Sequence, residues 1–120
     1  MLFRSRTRIE VILNNLLSNA IKYQDFTKDP SWFSVTVLTS AEDVVIRVSD
    51  NGIGIREIHL DKIFNMFYRA SENSKGSGLG LYIAKETVFK LGGTIQVQSE
   101  FGQFTSFDIV IPNQKSSSEK

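Results

Sequence analysis

A chain of 120 residues, 41% hydrophobic, with nine Phe and two Pro, has the size and composition of one compact domain with a real core and no room for a second. Fourteen basic against thirteen acidic residues leave a formal charge of +1, so no global field recruits nucleic acid or an anionic membrane surface, and any phosphate binding must be local. The lack of cysteine excludes disulfides, zinc–thiolate sites and thiol nucleophiles; with no signal peptide and no apolar run near the roughly 18 residues that span a bilayer, a cytoplasmic setting without direct membrane contact is expected.

The first periodic segment, Thr7 to Tyr23, places Ile9, Leu13, Leu16 and Ala20 on one stripe and predicts an amphipathic helix, with Thr7 and Glu10 at capping-box spacing. Pro30 breaks the pattern. Phe33 to Thr39 and Val44 to Ser49 then predict two strands of a hairpin joined by SAED. After a DNGIGI turn, REIHLDKIFNMF predicts a short helical piece, with Phe64 and Phe67 packed beneath a polar, lid-like stretch YRASENSKGSG. Leu79 to Leu91 predicts a second amphipathic helix, stopped by Gly92 and Gly93. Thr94 to Ser99 and Thr105 to Ile111 predict two closing strands, and residues 113–120 a disordered tail beyond a domain of residues 1–112. Strands mixed with segregated helices give an α+β, two-layer α/β sandwich.

Three constellations could carry chemistry. On the first helix Asn15, Asn19 and Lys22 fall at i, i+4 and i+7, one narrow polar face beside the core stripe. An asparagine carbonyl suits Mg²⁺, which keeps several waters and takes phosphate oxygens, and a lysine offsets phosphate charge; a solvated helix face is the competing explanation. Asp50 ends an apolar strand and opens DNGIGI, where Gly52 and Gly54 allow positive φ and close approach to a ligand. A carboxylate there could accept from an exocyclic amine such as that of adenine, although Asp-Asn-Gly is also an ordinary turn. In GSGLGL, Gly76, Gly78 and Gly80 precede the second long helix, so free N–H groups and the positive end of the helix dipole would face an anion. No GK[ST] follows, which excludes a Walker loop, and a plain hinge is the alternative. Arg69 begins the lid-like stretch, where a guanidinium could close over a γ-phosphate; Lys75 has the same potential.

In order, NNLLSNAIKY, DNGIGI, FNMFYRA and GSGLGL resemble the N, G1, F and G2 boxes of the sensor histidine kinase catalytic domain, over nearly the whole chain. The closing GGTIQVQSEFGQFTSFDIVIP is similar to that family's last strand pair. The resemblance implies the Bergerat, or GHKL, fold: a mixed sheet packed on helices, with ATP held between the helical layer and a flexible lid. It implies that Asn19 ligates Mg²⁺, Asn15 supports that site and Lys22 meets phosphate. Tyr23 would lie near the nucleotide, and Asp50 would read the adenine amine with Thr105 beside it. Gly52 and Gly54 would shape the base pocket. Lys75, Gly76, Gly78, Leu79 and Gly80 would form the lid end and phosphate site, and Arg69 would assist transfer.

Hydrolytic relatives of that fold, such as gyrase, MutL-type repair proteins and heat-shock chaperones, carry Glu at the position matching Asn15. A carboxylate can act as general base on water, whereas a neutral amide can only orient, so Asn15 favours phosphoryl transfer to a histidine. The resemblance thus implies a protein-histidine kinase catalytic domain whose partners are ATP, a phosphoacceptor histidine domain and a downstream response regulator. A GHKL-type ATP hydrolase and a non-catalytic regulatory domain are the alternatives. The only histidine, His59, lacks an acceptor's acidic helical setting, so a structural or surface role is expected for it and no self-labelling. The chain begins later than the family's catalytic domains usually do, which implies an edge strand and a dimerisation region outside it, and no dimer from this segment alone. Phe104 stands where the family's closing pattern has glycine, which leaves the turn before Thr105 open.

Overall fold

The computed structural model describes residues 2–69 and 78–113, with side chains from residue 6 onward. Two helices lie on one face of a four-stranded sheet. The order along the chain is α1 (Leu2–Lys22), β1 (Phe33–Thr39), β2 (Asp43–Asp50), a 3₁₀ turn (Glu57–His59), α2 (Gly80–Lys90), β3 (Thr94–Glu100) and β4 (Phe104–Pro112). Among the described residues no helix is long and apolar enough to cross a membrane.

Helix α1 starts about a turn and a half earlier than the capping-box spacing suggests. Nothing in LFRSR breaks a helix, so Thr7 sits inside it rather than at its cap. The fully buried row is Ile12, Leu16 and Ala20, successive i+4 positions, with Ile9 and Leu13 flanking it in partial burial. Helix α2 packs against α1 through the buried Ala84 and Val88. Its end is a Schellman motif: Gly92 at φ 77° donates to the Phe89 carbonyl, and the Gly93 N–H donates to that of Val88.

The sheet order is β1-β2-β4-β3, and all three ladders are antiparallel where the resemblance implies a mixed sheet. The reason is topological. Strands β2 and β3, joined by the crossover through α2, do run parallel, but β4 is inserted between them and pairs with both. Register lines up the inner face in rungs: Ile46, Ile109 and Ile95, then Val48, Phe107 and Val97. The outer face is polar, with Arg47 against Asp108 at 2.7 Å and the Ser49 and Ser106 hydroxyls 2.9 Å apart. Strand β1 forms one edge and its residues are exposed throughout.

Between the turn and α2 the expected helical piece is instead a run of i+3 turns. Leu60, Lys62, Asn65 and Tyr68 each donate to the carbonyl three residues back. Phe64 packs edge-on against Phe107, ring centroids 6.1 Å apart, as expected of a core aromatic. Phe67 does not: it is 63% exposed and has a positive φ of 64°, and its N–H donates to the Gly78 carbonyl. That left-handed turn ends the run and brings Tyr68 to the cavity wall.

Candidate nucleotide site

The next rung of the inner face is polar. Beyond Val48 and Phe107 the register pairs Asp50 with Thr105, and Thr105 with Ser99. The sheet's apolar core therefore gives way, one step along, to a polar rung whose Asp50 carboxylate and Thr105 hydroxyl line a cavity of about 330 Å³.

Asp50 is buried and accepts the Gly52 N–H on Oδ1 at 2.8 Å. Burial raises its pKa above the usual aspartate value, partly offset by that N–H and by the nearby Lys28 ammonium. Thr105 is also buried. The Ser99 hydroxyl donates to the Phe104 carbonyl at 2.7 Å and lies 2.9 Å from the Thr105 hydroxyl. Since its one proton is already placed, Thr105 donates to it and keeps its own lone pairs for a ligand. Ser99 also receives the Ile55 N–H at 2.8 Å, which ties the DNGIGI turn to this rung. Phe104 leaves the turn intact, because it is the first residue of β4 and the positive φ, 84°, falls on Gly102.

Of the two glycines expected to need positive φ, only Gly54 has it, at 76°, and a Cβ there would come within 2.3 Å of the Glu100 carbonyl. Gly52 serves close approach instead: a Cβ would meet the Tyr23 carbonyl oxygen at 2.3 Å. That contact is backed by the Ile53 N–H donating to Tyr23 at 3.1 Å, so the end of α1 and the turn after β2 are stitched together. Asn51 takes no part in the cavity. Its side chain donates to the Pro30 carbonyl and accepts the Trp32 N–H, holding the segment that enters β1.

The polar face of α1 does line the cavity, with Asn15, Asn19, Lys22 and Tyr23. Asn15 donates its amide to the Val11 carbonyl one turn back at 2.8 Å, which turns its carbonyl oxygen toward the start of α2: a Cβ added at Gly80 would lie 3.2 Å from it. Leu79 is the N-cap of α2 without a side-chain cap bond and stands outside the cavity lining, whereas Gly78, Gly80 and Arg69 line it. The positive end of the α2 dipole at that first turn favours an anion. Lys75 and Gly76 lie outside the described residues, as do most of the expected lid and the tail from residue 114.

Several lining residues escaped the sequence reading. Ile53, Ile55, Ile63 and Leu81 supply apolar wall. Phe101 does too, with the Arg56 guanidinium 4.0 Å above its ring. His59, expected to be structural or superficial, is on the cavity wall with Nδ1 against the Tyr68 hydroxyl. Lys28, in the linker after α1, gave no signal at all.

Residues 4–115 match the family described as histidine kinase-, DNA gyrase B-, and HSP90-like ATPase. The chain is 34% identical over 109 residues to the sensor protein SrrB of Staphylococcus aureus, covering 88% of this chain but only 18% of that protein. It is similar in structure to a mycobacterial sensor histidine kinase, MprB, with TM-score 0.75 and 27% identity over 88% of this chain and 70% of that one. Full-length ShkA in complex with AMPPNP gives TM-score 0.74 at 28% identity, over 88% of this chain and 21% of that one. With a sensor protein and a sensor histidine kinase among its relatives, the chain belongs to the histidine kinase-, gyrase B- and HSP90-like ATPase family.

Proposed function

We propose that this domain binds Mg-ATP in the cavity and hands the γ-phosphoryl group to a histidine on a separate dimerisation and phosphotransfer domain, from which a response regulator is then charged. The observation that carries the choice of transfer over hydrolysis is Asn15. Its amide nitrogen is engaged by Val11, so what it turns toward Gly80 is a carbonyl oxygen, a ligand without useful basicity near neutral pH. ATP retained without a water-activating base waits for a stronger nucleophile.

In this reading Asp50 accepts from the adenine amine, with Thr105 as a second acceptor, and Phe101, Ile53 and Tyr23 flank the base. The triphosphate runs toward Lys22 and the first turn of α2, with Gly78 and Gly80 leaving room and Leu79 capping the helix. Among the described residues no group of three or more His, Cys, Asp or Glu could hold a metal, so a cation here must take most of its shell from phosphate and water, which is Mg²⁺ chemistry. Asn19 would hold it, with Asn15 in support, and the ion would supply charge neutralisation on the phosphates. Arg69 would meet the charge that develops on the transferring group, with Lys75 and Gly76 joining from the neighbouring stretch. Catalysis on this account is positioning and electrostatics.

Titration calorimetry with Mg-ATP tests the binding half. One site with an affinity that Asn19→Ala lowers only in the presence of Mg²⁺ is expected. Equal loss with and without the ion would remove Asn19 from the metal, and no heat of binding from the wild type would leave a regulatory domain that has lost its nucleotide.

A further inference from the structure

The segment between α1 and β1 carries a lysine that neither the resemblance nor the cavity lining singles out. Lys28 donates from Nζ to the Gly52 carbonyl at 3.0 Å and to the Gln103 carbonyl at 3.1 Å, so one ammonium bridges the DNGIGI turn and the turn between β3 and β4. Those turns carry the two sides of the base end: Gly52 donates to Asp50, and Gln103 leads through Phe104 to Thr105. Lys28 is itself aimed by an Asx turn, in which Asp25 accepts both the backbone N–H and the hydroxyl of Thr27 and the Lys28 N–H closes onto the Asp25 carbonyl at 3.1 Å. A second stitch runs alongside, the Gly102 N–H donating to the Ile53 carbonyl at 2.6 Å.

We infer that Lys28 is a positioning residue for nucleobase recognition, holding the Asp50 and Thr105 acceptors in the mutual geometry that reads an exocyclic amine. The inference rests on the proposal that Asp50 contacts adenine. Three features favour it over a general stabilising role. Both acceptors of the ammonium are main-chain carbonyls of the turns that carry the reading groups. The lysine lies near enough to Asp50 to favour its ionised, accepting form. And it joins segments far apart in sequence, 24 and 75 residues from Lys28, just beyond the last rung of the β2–β4 ladder, where Asp50 pairs with Thr105. Its loss leaves the helix faces that would meet the triphosphate untouched.

The test compares ATP with purine ribonucleoside triphosphate, the same molecule without the exocyclic amine, on the full chain. The wild type should prefer ATP, Asp50→Asn should abolish the preference, and Lys28→Met should weaken ATP about fivefold while moving the analogue less than about twofold. Lys28→Arg, which keeps a charged donor, should recover most of the ATP affinity. Lys28→Gln, too short to reach both carbonyls, repeats the Met result should Met at this position disturb folding. An equal loss for both nucleotides, or no loss for either, would overturn the inference and leave Lys28 a structural tie. A wild type and an Asp50→Asn variant that both bind the two nucleotides alike would instead remove the base-reading role of Asp50 itself, and the inference with it.

Discussion

Asp50 is the residue on which stability and function pull apart. Burial raises its pKa, so folding favours its protonated form. The stability this brings is fully present below the ordinary value of 3.8 and lost as pH rises through the higher folded value, which leaves a buried charge to be carried at neutral pH. Asp50→Asn keeps an oxygen for the Gly52 N–H and drops the charge. Urea unfolding should therefore find the variant at least as stable as the wild type at pH 7, with the difference shrinking as pH falls toward 4, while its ATP affinity is lower by about tenfold or more. Lower stability at pH 7 would mean that the carboxylate is better paired than its surroundings imply. Asp50 was legible only in the company of the other motifs, because Asp-Asn-Gly alone reads equally as an ordinary turn. What could not be read was which glycine does what: the positive φ of Gly54 and the contact of Gly52 with Tyr23 depend on chain segments distant in sequence.

At the scale of elements, the strands were foreseen to within a residue or so because period-two alternation is written directly in the residues that share a rung. The stop of α2 was equally plain, since Gly92 and Gly93 supply the Schellman geometry. The two failures differ in cause, one local and one not. Thr7 and Glu10 have capping spacing, but nothing upstream ends the helix. The stretch before Phe67 has helical spacing of aromatics, yet it winds as i+3 turns and closes in a left-handed residue bonded to Gly78, a partner outside any local window. Local propensity cannot register such non-local contacts. The link between β2 and the β3–β4 turn is where this matters for function. Gly54→Ala must place a side chain at φ 76° against the Glu100 carbonyl, costing at least about 1–2 kcal/mol. Thermal unfolding should register that loss, and ATP binding should suffer as well; an unchanged midpoint would show that the turn re-forms without positive φ.

Across the molecule, the two-layer architecture makes one core serve both stability and the site. The rungs that bury Ile46, Val48, Phe107 and Ile109 beneath Ile12 and Leu16 end on the Asp50 rung, so the cavity floor is an extension of the packed interior. Leu16→Ala, at a fully buried position, should cost about 2–5 kcal/mol of unfolding free energy. Mg-ATP at a hundredfold excess over Kd should return about 2.7 kcal/mol to either protein, measured by chemical denaturation. A variant that gains much less than the wild type would show that the core substitution has deformed the cavity floor. The chain spans 18% of the length of the SrrB relatives it matches.

On the proposed function, this domain keeps ATP intact until a histidine elsewhere receives the γ-phosphoryl group. Incubation with γ-labelled Mg-ATP and a separately supplied helical domain bearing a phosphoacceptor histidine tests it most directly, with free phosphate followed in the same tube. The expected result is acid-labile label on the added domain, none on His59, and negligible phosphate release before the acceptor is added. Steady phosphate release by the domain alone, abolished by Asn15→Ala, would contradict the account and make this a hydrolase.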